Sequence, residues 1–404
     1  MTTVFEKSKI TKQTIEDLSL KGKRVLIRVD FNVPLDAQQK ITDDTRVRES
    51  LPTIKYALEQ GAARVILMSH LGRPDGKPNA AMSLKPVADH LAKLLGRPVV
   101  QCSDCIGPKV ADEIARAPKD AVILLENLRF HAEEEKNEPN FGKALSANGD
   151  VYVNDAFGTS HRAHASVAGI VSHLPSGAGF LLGKEIKYLG EATKHPAKPF
   201  VLILGGAKVS DKIGLIENMI PKVDLIIIGG AMAYTFAKVT GYSIGKSRFE
   251  KDKVELAGEI LKKAAAKGIK VMLPIDHVAV QEFREDAPFE IQEGIKEGWD
   301  GVDIGPKTTL AYAEALKSAR TAVWNGPMGV FEMKHFKNGS LGVAQALAGN
   351  PNCVSIIGGG DTAACVTLFG LAPKMSHIST GGGASLEYLE GKKLPGIDLL
   401  PEKK

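Results

Sequence analysis

Short β-rich runs alternate with helix-period stretches along the whole chain, and they do so in two successive series. The first series is RVLIRV (24–29), RVILM (64–68), PVV (98–100), AVILL (121–125) and DVYV (150–153). The second is FVLIL (200–204), DLIII (224–228), KVML (270–273), TAVW (321–324), CVSII (353–357) and HIS (377–379). Between them lie segments such as LPTIKYALEQGA and LKPVADHLAKLLG, apolar at helical spacing and closed by glycine. Strand–helix alternation forces parallel sheets with right-handed crossovers, because a parallel partner cannot be reached by a tight turn. Two series in 404 residues predict an α/β protein of two doubly wound, Rossmann-like parallel-sheet domains.

Ligands of open α/β sheets sit beyond the carboxyl ends of the strands, so the strand tails carry the chemistry. The first series ends in DFN (30–32), SHLGRP (69–74), ENLRFH (126–131) and NDAFGTSHRAH (154–164), and Arg46 opens the helix after a DDT cap at 43–45. Several arginines at one sheet edge repel one another unless an anion sits among them, and arginine suits bidentate capture of phosphate or carboxylate. His70, His161 and His164 read individually as hydrogen-bonded structural residues. The second series ends in GGAK (205–208), GGAM (229–232), NGPMG (325–329), GGGDT (358–362) and TGGG (380–383), a set that suits a polyphosphate or nucleotide cradle. Asp361 is placed equally well as an N-cap and as a contact to a nucleotide-borne Mg²⁺. In FVLILGGAKVSDKI (200–213), Lys208 and Lys212 stand four apart on what reads as one helix face. That is where the helix dipole disfavours cations, so they are either solvated charges or partners of a more negative ligand.

Other features exclude more than they assign. A net charge of +5 is small for this length, and no basic low-complexity arm points to nucleic acid. The sequence shows no apolar signal core and no run near the roughly 20 residues of a membrane span, so a soluble protein of a reducing, cytoplasmic compartment is expected. The four cysteines, including the CSDC of 102–105, lack zinc spacing and are expected as buried thiols. GYSIGKS (241–247) and GAGFLLG (177–183) each miss a phosphate-loop pattern by one residue. AEEEKNE (132–138) reads as a solvated loop.

With RVDFNVPL, SHLGRP, LLENLRFH, NDAFGTSHRAH, LGGAKVSDKI, WNGPMGVFE, GGGDT and STGGGASLEYLEGKKLPG in this order, the sequence closely resembles the phosphoglycerate kinase family from about residue 20 to 400. The resemblance implies a 3-phosphoglycerate-binding domain (1–180) on which a C-terminal tail (389–404) packs back. It implies a helical hinge at 181–199 and a nucleotide-binding domain at 200–388. Substrate contacts are implied at Asp30, Phe31, Asn32, Arg46, His70, Leu71, Gly72, Arg73, Arg129 and Arg162. Nucleotide contacts are implied at Gly205, Lys212, Gly229, Gly230, Asn325, Glu332, Gly359, Gly360, Asp361 and Thr362, with Asp361 meeting Mg²⁺. The family often has a third glycine where this chain has Ala231, so a methyl is expected against the adenine slot.

The implied reaction moves a phosphoryl group reversibly between ATP and the carboxylate of 3-phosphoglycerate, in glycolysis and gluconeogenesis. The acceptor is already ionised, so no general base is expected, and positioning and charge stabilisation carry catalysis. Lys208 and Arg46 are expected to hold the transferring phosphoryl, aided by N–H groups at the helix starts of Gly360 and Gly383. Closure of the domains is expected to exclude water, and the protein is expected to be a monomer acting on small molecules, not on nucleic acid or membrane. Two other readings remain at this point: an NAD-dependent two-domain dehydrogenase, and a non-enzymatic anion- or nucleic-acid-binding protein.

Overall fold

Six short strands of the N-terminal half form one parallel sheet in the order β3-β4-β2-β1-β5-β6. They are β1 (Arg24–Arg28), β2 (Arg64–Met68), β3 (Val99–Gln101), β4 (Val122–Leu124), β5 (Val151–Asn154) and β6 (Ser176–Ala178). The computed structural model describes residues 10–403 of the chain. In the C-terminal half a second six-stranded sheet runs β15-β14-β13-β7-β8-β9. Its members are β7 (Phe200–Leu204), β8 (Leu225–Ile228), β9 (Lys270–Met272), β13 (Thr321–Asn325), β14 (Val354–Gly358) and β15 (His377–Ile378). Every pairing within both sheets is parallel, and helices occupy the connections. The fold is the doubly wound α/β class.

The apolar runs become central strands because both faces are covered. All five residues of β7 are buried, and full burial of such side chains contributes roughly 1.5–3 kcal/mol each. In the N-terminal sheet Val25 and Ile27 of β1 join one core cluster and Leu26 joins the other, which shows the period-two alternation directly.

Two parts of the fold lie outside the sequence expectation. β6, read SGA, is too short and too small-chained to show an apolar pattern. A three-stranded antiparallel sheet, β11-β10-β12, is built from β10 (His277–Val280), β11 (Phe289–Gln292) and β12 (Asp300–Ile304). β11 exposes three of its four residues and β12 reads DGVDI, so neither carries an uninterrupted apolar run.

The chain divides into two compact units, one holding residues 10–187 with 393–403, the other Tyr188–Lys392. The division falls inside the helix Phe180–Lys194, between Lys187 and Tyr188, rather than across the whole of 181–199. The tail joins the N-terminal unit from residue 393 rather than 389. Gln13 N–H donates to Pro401 O (2.8 Å) and Asn154 Nδ2 donates to Gly396 O (2.8 Å), binding the tail to β5 and the chain start. Asp155, just past β5, accepts the Leu181 and Leu182 N–H groups at 2.9 and 3.2 Å. It thereby satisfies helix-start donors that have no partner within their own helix.

Candidate active site

Register decides where the strand tails meet. In the C-terminal sheet Leu204 pairs with Ile228 and Asn325, and Asn325 pairs with Gly358. The residues one step further on, Gly205, Gly229, Gly326 and Gly359, therefore line one edge. Strand order reverses between β7 and β13, with β8 and β9 added on one side and β14 and β15 on the other, the switch point at which such sheets bind ligands. A cavity of about 410 Å³ opens there, lined by Gly205, Gly206, Lys208, Lys212, Asn325, Gly359, Gly360, Asp361, Thr362 and Gly383 among others. A second cavity of about 220 Å³ shares Gly206, Ala207, Pro327 and Asp361 with it and continues to Gly230, Ala231, Val302, Met328 and Glu332. The first is walled by backbone and charge, the second mostly by apolar groups. Phosphates and a base are the matching ligand halves.

The glycines of this edge divide into two kinds. At Gly205 a methyl would lie 2.1 Å from Pro327 O and 2.5 Å from Gly326 O, so its smallness serves loop-on-loop packing. At Gly360 nothing lies within 4 Å of such a methyl, leaving the first turn of the helix Gly360–Leu368 open to a ligand. Gly229 is buried against Met328 and lines neither cavity. Thr362 is fully buried, and its Oγ1 accepts Gly326 N–H at 2.7 Å, fixing the β13 tail. Ala231 lines the second cavity.

The lysines do not share a helix face. Lys208 stands in the irregular loop after β7, and Lys212 closes the single 3₁₀ turn Ser210–Lys212 ahead of the helix Ile213–Met219. Gly206, at φ 89°, turns the chain so that the helix begins later than its pattern suggests. Lys208 is exposed at the cavity wall. Lys212 donates to the Asn325 side-chain oxygen, and burial lowers its pKa against the pull of Asp211, Asp361 and Glu390. Asp361 is the second residue of its helix, whose N-cap is Gly359, so it does not cap. It is exposed at the cavity wall. Gly383 starts the helix Gly383–Leu389, and Glu332 is exposed at the rim of the second cavity. The near-miss loop at 241–247 holds no phosphate geometry: Lys246 Nζ bonds Gln281 O.

In the N-terminal sheet Arg28 pairs with Met68 and Asn154, which aligns the tails of β1, β2 and β5. Asp30 Oδ2 accepts Arg46 Nη1 at 2.7 Å, while Arg48 turns to Asp44 at 2.9 Å. Asn32 Oδ1 accepts Gly72 N–H (2.9 Å), and Arg129 Nη1 donates to Gly72 O (3.0 Å). Phe31 and Leu71 are buried among the core side chains, so at these two positions the backbone is what the tails present. Arg73 and Arg162 are exposed. His70 is buried, its Nδ1 lying 3.1 Å from Arg28 Nη2.

This cluster is short of negative charge. Burial lowers the pKa of Arg129, Glu135 opposes that, and Arg28 and Arg162 push it further down. Burial, then Arg28, Arg129, Arg46 and His164, hold His70 well below the usual histidine range. Arg129 Nε lies 3.3 Å from Glu135 Oε1 yet directs no hydrogen bond to it. A buried guanidinium with an idle N–H, crowded by like charge, is suited to receive an anion.

AEEEKNE is not a solvated loop. Its first four residues form the helix Ala132–Glu135, and Glu134 is fully buried. Nothing local in the sequence flags it, because its side-chain partner, Ser166, stands far along the chain. The four thiols are free and buried. Asp104, Cys105 and His131 bring potential ligand atoms within 4.8 Å of one another, a cluster sequence spacing does not show.

The phosphoglycerate kinase family model matches residues 15–392. The chain belongs to the phosphoglycerate kinase family. It is 56% identical over 396 residues to a phosphoglycerate kinase of Moorella thermoacetica, covering 98% of this chain and 100% of that protein. A Koribacter versatilis phosphoglycerate kinase is 56% identical over 404 residues, at the same coverages. The solved phosphoglycerate kinase of Coxiella burnetii superposes with a TM-score of 0.88 at 42% identity, covering 96% of this chain and 98% of the other. That of Pyrococcus horikoshii gives 0.82 at 34%, with the same coverages. As in the rest of the phosphoglycerate kinase family, the chain is an enzyme that uses a nucleotide, and no described helix is long and apolar enough to cross a membrane.

Proposed function

We propose how this chain performs its family's reaction, reversible phosphoryl transfer between ATP and the carboxylate of 3-phosphoglycerate in glycolysis and gluconeogenesis. The glycine-lined cavity bearing Lys208, Lys212 and Asp361 is the observation that carries the reading. ATP or ADP lays its phosphates there and its base in the adjoining cavity against Ala231 and Met328. Lys212 neutralises the nucleotide phosphates; burial lowers its pKa, and a bound polyphosphate opposes that by favouring the charged form. Lys208 holds the phosphoryl in transit, with the Gly360 and Gly383 N–H groups as further donors.

The surplus arginines bind 3-phosphoglycerate, with Arg129, Arg73 and Arg162 on its anionic groups and Asp30, Asn32 and His70 fixing its orientation. Arg46 serves the transferring phosphoryl, since only one of its five N–H donors is spent on Asp30. A carboxylate acceptor needs no deprotonation, consistent with a site of cations and N–H groups. Asp361, which has no hydrogen-bond or ion-pair partner among the described residues and faces the cavity, fits Mg²⁺, which takes one or two carboxylates beside substrate phosphates. Bound there with nucleotide, the ion neutralises charge on the phosphates. Direct transfer requires the two ligands to meet, so closure of a cytoplasmic, monomeric enzyme belongs to the same reading.

A coupled assay of ATP-dependent phosphorylation of 3-phosphoglycerate tests this. Lys208→Ala is expected to lower kcat by about 10²–10³ with little change in either KM. Near-wild-type turnover in that variant overturns the assignment. Asp361→Ala should weaken calorimetric binding of MgADP while leaving metal-free ADP binding unchanged.

A further inference from the structure

Beneath the basic cluster runs a buried chain of hydrogen bonds that the reaction scheme above does not use. Glu134 accepts from Ser166 twice, from its backbone N–H at 2.9 Å and from its Oγ at 2.5 Å. Ser166 Oγ in turn accepts Arg28 Nε–H at 2.9 Å. Arg28 is fully buried, spends another donor on Val29 O, and directs Nη2 to His70 Nδ1 at 3.1 Å.

The direction of this chain is forced at each link. A hydroxyl has one proton; Ser166 gives it to Glu134, so its lone pair faces Arg28. A guanidinium only donates, so His70 Nδ1 must be the lone-pair nitrogen. The imidazole proton is then on Nε2, which has no partner among the described residues. Protonating Nδ1 would break the Arg28 bond and add a cation facing Arg28, Arg129 and Arg46, with His164 also near. Glu134 supplies the opposing charge: burial raises its pKa, while Arg28 and both Ser166 bonds favour its ionised form. It lies one hydroxyl from Arg28, has His164 Nδ1 at 4.0 Å, and is close enough to raise the pKa values of Cys105 and Tyr152. A buried guanidinium without such a counter-charge is strongly unfavourable.

We propose that Glu134, through Ser166 and Arg28, holds His70 as the neutral tautomer protonated on Nε2, so that His70 offers phosphoglycerate an uncharged donor among the arginines. Glu134, Ser166 and Arg28 are positioning residues; His70 is the group that touches substrate. The proposal rests on the reading of this cluster as the phosphoglycerate site.

The test is two-bond ¹⁵N–¹H correlation spectroscopy on histidine-labelled full-length enzyme, with His70 assigned by its loss in His70→Gln. Wild type should show Nδ1 bare and Nε2 protonated between roughly pH 5.5 and 8.5, with no titration. In Ser166→Ala the tautomers should mix, and KM for 3-phosphoglycerate should rise about threefold to tenfold, the worth of one neutral hydrogen bond, with KM for MgATP unchanged. Ser166→Thr, which restores the hydroxyl, should recover both. Glu134→Gln should mix the tautomers too; if it does not fold, Ser166→Ala carries the test. A protonated Nδ1 in wild type overturns the proposal, as does an unmoved tautomer and KM in Ser166→Ala. Wild type that fails to phosphorylate 3-phosphoglycerate would sink the functional reading instead, since the spectra need no turnover.

Discussion

Gly205→Ala should be costly although Gly205 is not one of the left-handed glycines. The added methyl would sit 2.1 Å from Pro327 O, 2.5 Å from Gly326 O and 2.8 Å from Pro327 C. All three are backbone atoms, so no side chain can swing aside. The β7 and β13 tails must separate, straining Gly205 N–H→Asn325 O (3.1 Å) and Gly206 N–H→Pro327 O (2.9 Å). Overpacking costs about 1–3 kcal/mol and each weakened hydrogen bond about 0.5–1.5, together roughly 2–6 kcal/mol. Both tryptophans of the chain, Trp299 and Trp324, lie in the C-terminal unit, and Trp324 Nε1 donates to Gly326 O at 2.7 Å. Intrinsic fluorescence therefore reports this loop directly. With a urea slope near 3 kcal/mol/M, the midpoint should fall by about 0.7–2 M. Gly360→Ala, with open space around the new methyl, should stay within about 0.5 kcal/mol of wild type. A Gly205→Ala midpoint equal to that of wild type, or equal costs at the two positions, refutes the division of these glycines into packing and open kinds.

Three further outcomes are expected. Arg129→Ala should raise KM and Kd for 3-phosphoglycerate and leave MgATP affinity unchanged, as measured by steady-state kinetics and calorimetry. Burial raises Asp155 to about 7 and Asp303 to about 8. Their folded pKa values exceed the unfolded ones, so the folded state binds more protons. Their stabilising effect is complete below about pH 4 and declines as pH rises to about 7 and 8, and carboxyl ¹³C NMR should show both titrating late. Burial lifts Cys102, Cys353 and Cys365 to about 12 and Cys105 well above its usual value. Native enzyme at pH 8 should resist alkylation at all four until denaturant is added, as counted by mass spectrometry.

Strands buried on both faces were legible because nothing but an apolar run can occupy them: each of the eleven runs quoted from the sequence becomes a strand. β6 and the antiparallel sheet were not, because SGA and DGVDI owe their strand state to neighbours rather than to their own pattern. The strand tails were legible for the same reason as the strands, since register carries the end of one strand to the end of the next. What a tail residue does was less so. Lys208 and Lys212 read as one face because spacing assumes a helix, and the turn at Gly206 delays it. Glu134 read as solvent-facing because its neighbours are charged, while its partners, Ser166 and Arg28, are far along the chain. Spacing shows local periodicity and says nothing of contacts closed by the fold.

The tail that closes the N-terminal unit has a consequence for synthesis. Asn154 and Gln13 find their partners in Gly396 and Pro401, which the ribosome adds only after the whole of Tyr188–Lys392. At about 5–20 residues per second that interval is roughly 10–40 s. During it the first unit emerges without the bonds that Asn154 Nδ2, Gln13 N–H and Thr11 O make to the tail, keeping only those closed within the unit, such as Ala178 N–H to Gln13 O, while the second can finish on its own. A chain truncated before residue 393 would hold every residue of the glycine-lined cavity and still leave its first-made unit incomplete, a natural substrate for quality control.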